Sequence, residues 1–146
     1  MKSVRFCFGI LLIINLDSCS TEPEQLQYGT DACHFCKMTL MDKKFGAELV
    51  TTKGKVYKFD DLSCFINYYN SGIEPTDIYE HTLVIDYSDP GKLIDATTAF
   101  YVASPQIRSP MDGKVAAFEL KPSMDNFKKQ CNGIYLSWGE VVTQYK

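Results

Sequence analysis

Gly54-Lys55-Val56-Tyr57-Lys58-Phe59-Asp60 and Gly113-Lys114-Val115-Ala116-Ala117-Phe118-Glu119 share the pattern Gly-Lys-Val-x-x-Phe-acid, and this constrains the fold more than any other feature. Each copy opens on a turn glycine, continues as a strand-like run and ends on an acid that precedes a helical pattern. Ahead of the first copy, 45–52 reads as a strand closed by Lys53-Gly54. Behind it, Asp60-Asp61 offers a helix N-cap, and Leu62, Phe65, Ile66 and Tyr69 fall at i, i+3, i+4 and i+7. Asn70-Ser71-Gly72 closes that helix, and 82–87 supplies another strand, ended by Ser88-Asp89-Pro90-Gly91. The second copy repeats the order. A strand at 99–103, a Met111-Asp112-Gly113 turn and a strand at 114–120 lead to a helix opened by Pro122-Ser123. That helix carries Met124, Phe127 and Cys131, is capped by Asn132-Gly133, and gives way to a strand at 134–138. The chain is therefore expected to be α+β: two similar β-β-α-β units, about 31–90 and 91–146, packed into one small body. Neither unit is large enough to bury its apolar face alone.

Asp31-Ala32-Cys33-His34-Phe35-Cys36-Lys37-Met38 places two thiols and a thioether within six positions. Soft sulfur donors select Cu(I), zinc or iron–sulfur clusters, and a thioether tilts the choice towards Cu(I). Cys33 and Cys36 are the candidate thiolate ligands and Met38 a neutral third, with a disulfide and a core methionine as the alternatives. Met111 is a fourth candidate, because an apolar side chain in a Pro-Met-Asp-Gly turn has no packing reason to be there. His34 could ligate or tune such a site, or simply be solvated. Cys64 falls away from the apolar stripe of its helix, so it could complete a three-sulfur site or remain an inert thiol. Cys131 lies on an apolar face and reads as a small buried hydrophobe; a Cys64–Cys131 disulfide stays open. Met41, Asp60, Asp61 and His81 suggest no ligand role.

Lys2 and Arg5 precede the apolar run 6–16, which is too short for a membrane span of about 20 residues. Leu16-Asp17-Ser18-Cys19 then resembles the lipobox of bacterial lipoproteins, apart from Asp17, where a small or apolar residue is usual. This reading makes 1–18 a lipoprotein signal peptide and Cys19 the lipidated residue; an ordinary cleaved signal is the alternative. Residues 19–30 follow as a polar, Pro-interrupted flexible linker, and 31–146 as the domain. The expected location is the bacterial cell envelope, on the non-cytoplasmic, periplasmic face of a membrane. A net charge of −3 and a pI near 5.3 leave no basic footprint for nucleic acid.

Taken together, these segments resemble the NosL family of copper-binding lipoproteins that accompany nitrous oxide reductase. The resemblance runs from about Asp31 to Val142. It rests on the Cys-x-x-Cys-x-Met element, Gly-Lys-Val-Tyr-Lys-Phe-Asp-Asp, Ile94-Asp95-Ala96, Ala99-Phe100-Tyr101-Val102, Ser109-Pro110-Met111 and Trp138-Gly139-Glu140-Val141. Lys37 departs from it, standing where the family usually has Gly, which bears on the local backbone shape. The resemblance implies Cu(I) binding and copper supply to an exported copper enzyme, nitrous oxide reductase or its assembly machinery. With no acid–base pair, nucleophile triad or phosphate loop in the sequence, a carrier without turnover fits better than an enzyme. Two other readings stay open: a periplasmic thiol–disulfide oxidoreductase using Cys33 and Cys36, and a structural zinc site built from Cys33, Cys36, Cys64 and Cys131.

Overall fold

Strands β1 (Ala47–Thr51) and β2 (Val56–Phe59) pair antiparallel around the turn that holds Gly54, whose φ of 77° suits a residue without a side chain. Helix α1 (Leu62–Tyr69) follows at once, because Asp61 leaves the strand in extended conformation and accepts the Ser63 amide at 2.7 Å. A short 3₁₀ turn (Thr76–Ile78) then leads into β3 (Tyr79–Ile85), which pairs with the free edge of β1. The second half repeats these steps. Strands β5 (Phe100–Ala103) and β6 (Val115–Phe118), helix α2 (Lys121–Gln130) and β7 (Ile134–Leu136) follow a short edge strand, β4 (Leu93–Asp95). The sheet orders are β2-β1-β3-β4 and β6-β5-β7, so the two halves share one topology, with β4 added to the first. The structure is a computed structural model and describes residues 20–144. No helix among the described residues is long and apolar enough to cross a membrane. The expected signal peptide at 1–18 and the expected lipidation site Cys19 lie outside the described residues.

The expected α+β body of two β-β-α-β units is what the chain forms, and the two halves share their main core. Tyr101, Val115, Ala117 and Val141 of the second half pack with Leu49, Phe59, Phe65 and Ile66 of the first. Backbone also crosses the seam: Asp86 forms a parallel bridge with Ala117, and the Tyr87 amide donates to the Ala117 carbonyl at 2.8 Å. A smaller cluster beneath β5, β6 and α2 holds Val102, Phe118, Met124 and Cys131. Cys131 is therefore a buried thiol in that cluster, and both Cys64 and Cys131 are free.

Three elements depart from the sequence reading. The last strand stops at Leu136, and a third helix, α3 (Trp138–Gln144), takes over at Trp138. The reason is a capping box: Glu140 accepts the Ser137 amide at 2.7 Å and its hydroxyl at 2.6 Å, fixing the first turn. Trp138 then reaches Phe65, Tyr69 and Tyr101, with ring centroids 5.7–6.2 Å away, and so clamps one half to the other. The second departure is β4, too short for a period to show. The third concerns the linker. From Glu24 onward that segment lies against the sheet, because Leu26, the one long apolar side chain between Ser20 and Gln27, is buried over Gly46.

Phe65 is fully buried in ring contact with Phe59, Tyr69 and Trp138. Phe65→Ala is expected to lower unfolding free energy by about 3–5 kcal/mol, the usual range for a phenyl deletion in a close-packed core. Urea denaturation followed by Trp138 fluorescence checks this.

Candidate metal centre

The Cys-x-x-Cys element sits on a turn, closed at its base by an antiparallel bridge between Ala32 and Thr39. Within it the Cys33 amide donates to the Met38 carbonyl at 2.8 Å, and the Lys37 amide to the Cys33 carbonyl at 3.0 Å. Closing so tight a loop forces one residue into the left-handed region, and that residue is Lys37, at φ 67°. A glycine would adopt that conformation without strain. Here a side chain tolerates the same conformation, and the Lys37 ammonium donates back to the His34 carbonyl. The loop is fastened to the body by the His34 amide, which donates to the Lys58 carbonyl on β2 at 2.7 Å.

His34 is not among the groups that converge with the sulfurs. Its ring sits edge-on to Tyr57 at 4.6 Å and Tyr68 at 5.1 Å, and burial lowers its pKa, favouring neutral imidazole. Half-buried, it is a peg in an aromatic socket.

The loop delivers Cys33 and Cys36 to the junction between β2 and α1. There Asp60 ends the strand, and Cys64 occupies the third position of the helix. Sγ of Cys33, Cys36 and Cys64 and a carboxylate oxygen of Asp60 all lie within 4.8 Å of one another. Cys33, Cys64 and Asp60 are buried, while Cys36 is half-exposed and donates its S–H to Asp60 at 3.5 Å. A metal–sulfur bond is about 2.3 Å, so donors placed tetrahedrally around one ion stand about 3.8 Å apart. The four groups therefore converge on one ion's volume, and inward movement of up to about 1 Å would bring all four within bonding distance. Softness ranks the three sulfurs above the carboxylate for a monovalent soft ion.

Electrostatics already distinguish the thiols. Cys33 accepts a hydrogen bond from the Cys64 thiol and, with help from the Cys36 and Asp60 amides, its pKa falls from 9.0 to about 6 despite burial. The Cys64 thiol is pushed up for the converse reason, since it supplies that proton. Burial, the largest influence, raises Cys36. One thiolate is thus preformed at neutral pH, flanked by two thiols.

Of the residues expected from sequence, Cys33 and Cys36 are brought together here. Met38 and Met111 stay exposed, at 55% and 39%. Met111 nonetheless lies beside the junction, because its amide donates to the Asp61 carboxylate at 3.0 Å, so the second half's turn reaches the first half's site. Cys64 joins the cluster, and Asp60 does so unforeseen. The signal for both was the Asp-x-x-x-Cys spacing across a helix start, which puts a carboxylate and a thiol on one side of the first turn. Cys131, in the second cluster with its sulfur 3.9 Å from the Lys128 carbonyl, is not part of the assembly. The four-cysteine zinc reading is therefore overturned.

The NosL family profile matches residues 25–146. The chain is 26% identical over 123 residues to the copper-binding lipoprotein NosL of Stutzerimonas stutzeri; the match covers 75% of this chain and 65% of that protein. The fold is similar to the crystal structure of the copper chaperone NosL from Shewanella denitrificans, with a TM-score of 0.71 and 21% identity. That match spans 83% of this chain and 96% of the other.

In the reduced, metal-free protein, thiolate absorbance is expected to show one thiol ionising near pH 6. Cys64→Ala removes the donor to Cys33 and should return that midpoint towards the ordinary thiol range. An unchanged midpoint would contradict the assigned hydrogen bond.

Proposed function

Because the chain belongs to the NosL family, whose profile spans residues 25–146, we propose that it is a membrane-anchored metallochaperone that binds Cu(I) without turnover and passes it to an exported copper enzyme. The observation that carries this reading is the convergence of Cys33, Cys36 and Cys64 with Asp60 at one helix start. Copper is cargo here. The Cys33 thiolate receives the ion, and Cys36 and Cys64 lose their protons as they join. Both protons pass to solvent, that of Cys36 by way of Asp60, which already accepts the hydrogen bond of that thiol. Met38 and Met111 stand on the exposed side as thioethers that exchange with the cysteine sulfurs, so that a partner displaces the donors of the set Cys33, Cys36, Met38 and Met111 one at a time. Half-exposed Cys36 is the ligand that leaves first.

The recipient we propose is nitrous oxide reductase or its assembly machinery, a reading supported by the family resemblance. Cys19 carries the lipid anchor on the periplasmic face. With the strap docked from Glu24, only residues 20–23 remain as tether, which holds the domain within about 14 Å of its anchor.

Competition with a Cu(I) chelator tests the carrier role. Cys33→Ser and Cys36→Ser should each weaken binding at least tenfold, while Met38→Ala and Met111→Ala should mainly speed transfer out of the site or weaken it modestly. Apparent affinity should climb above pH 6 by about tenfold per pH unit for each proton displaced, with Cys36 and Cys64 as the sources. Retention unaffected by loss of the paired thiols would overturn the reading, and rapid insulin reduction without copper retention would favour the thiol–disulfide oxidoreductase. For the anchor, cell fractionation should find the protein with membranes, and the Cys19→Ser variant in the soluble envelope fraction.

A further inference from the structure

Away from the sulfurs, β1 carries a carboxylate that the copper site does not use. Glu48 is wholly buried in the middle of the four-stranded sheet, between Lys58 on β2 and Leu83 on β3 in register. Its Oε1 accepts the Glu24 amide at 2.9 Å, and its Oε2 has no hydrogen-bond partner among the described residues. The neighbouring cation is already committed: Lys58 Nζ lies 2.9 Å from Glu24 Oε2 and 2.9 Å from Asp31 Oδ2. Three carboxylates therefore face one ammonium, and the two from the strap hold it. On the other side, Leu83 offers no charge. A buried carboxylate in that position lacks a counter-ion, so folding with the strap in place favours its neutral form.

The strap itself is short and depends on these contacts. Residues 24–31 are held by the Glu24 amide on Glu48, by Leu26 over Gly46, and by the Gln27 amide on Asp31 Oδ2 at 2.8 Å. Its far end, Asp31, stands two residues ahead of Cys33 and accepts the Leu40 amide at 2.9 Å, which closes the metal loop at its base.

We propose that Glu48 is a proton-operated latch for the strap: neutral, it holds residues 24–31 on the sheet, and ionised, it lets them go. The device goes beyond copper binding and stands or falls without it. Released, the strap would become free chain, lengthening the tether by up to about 28 Å and loosening one leg of the metal loop. Burial raises Glu48 from 4.5 to about 7, opposed by the Glu24 amide and the Lys58 charge. A group whose pKa is raised by docking favours the docked state fully below its free value. That contribution fades as pH climbs from about 4.5 through about 7 and changes no further above it. The latch is therefore closed in mildly acid surroundings and weakened in neutral to alkaline ones.

The test uses the reduced, copper-free protein, so its outcome is separate from that of the copper titration. Carbon NMR of the Glu48 carboxyl should show a midpoint near 7. Hydrogen exchange at the Glu24, Gln27 and Asp31 amides, corrected for intrinsic rate, should show strap opening rise at least tenfold from pH 5.5 to 8. In Glu48→Gln, which keeps the acceptor and cannot ionise, the rise should stay within twofold. A Glu48 midpoint near the ordinary 4.5 would overturn the proposal, as would a flat pH response in the native protein or an undiminished one in Glu48→Gln. The native titration decides the matter even where the variant folds poorly.

Discussion

Two adjacent carboxylates at the end of β2 hold this molecule's functional end together. Asp60 and Asp61 are 3% and 1% exposed, and each ties separate segments to one point. Asp61 caps α1 through the Ser63 amide and takes the Met111 amide from the other half. Asp60 takes the Cys36 thiol from the metal loop. Gly113 shows how close the approach is, since a Cβ there would strike the Asp61 carboxylate. Buried carboxylates are costly unless their oxygens are satisfied, and here the satisfying donors come from three parts of the chain. Helix start, sulfur loop and second-half turn are positioned by the same requirement.

The chemistry of the site follows from that placement. A Cys-x-x-Cys loop alone is adaptable, open to a disulfide, a redox pair or a metal. Fastened over a helix start that already carries a thiol, it becomes a cluster in which one proton is shared between two sulfurs. Cys64 gives Cys33 the hydrogen bond that lowers its pKa, which favours a soft, thiolate-like sulfur in an otherwise buried place. Lys37 in the left-handed region shows that the turn's geometry is set by its closing hydrogen bonds, which outweigh a side chain's ordinary preference.

The pieces that sequence disclosed were those with a period or a cap. The repeat around Gly54 and Gly113, the stripe of α1 and the Asp61 cap all have local signatures, and the halves fell out of them. Cys33 and Cys36 were visible because their spacing is itself the signal. Cys64 and Asp60 were harder, because their relation to the loop exists only after β2 has brought positions 34 and 58 together. Glu24 and Leu26 read as linker because one apolar residue in a polar run shows no period, while its partner Gly46 is distant in sequence. The Ser137–Glu140 capping box was a local signal overlooked beside a strand-like Ile134-Tyr135-Leu136 run.

The repeat also explains why the second half has no counterpart to the site. Superposing the shared pattern sets Glu119 against Asp60, Leu120 against Asp61 and Ser123 against Cys64. Glu119 is exposed and paired with Lys92 at the surface, so it gathers no buried donors. Leu120 stands at the N-cap of α2 with no side-chain hydrogen bond, and Pro122 in the first helical turn lessens the need for one by removing an amide. Ser123 offers a hard oxygen where Cys64 offers sulfur. The same backbone plan therefore serves two ends. One half gathers thiols and a carboxylate at its strand–helix junction, and the other lends its turn, through Met111 and Gly113, to hold that junction in shape.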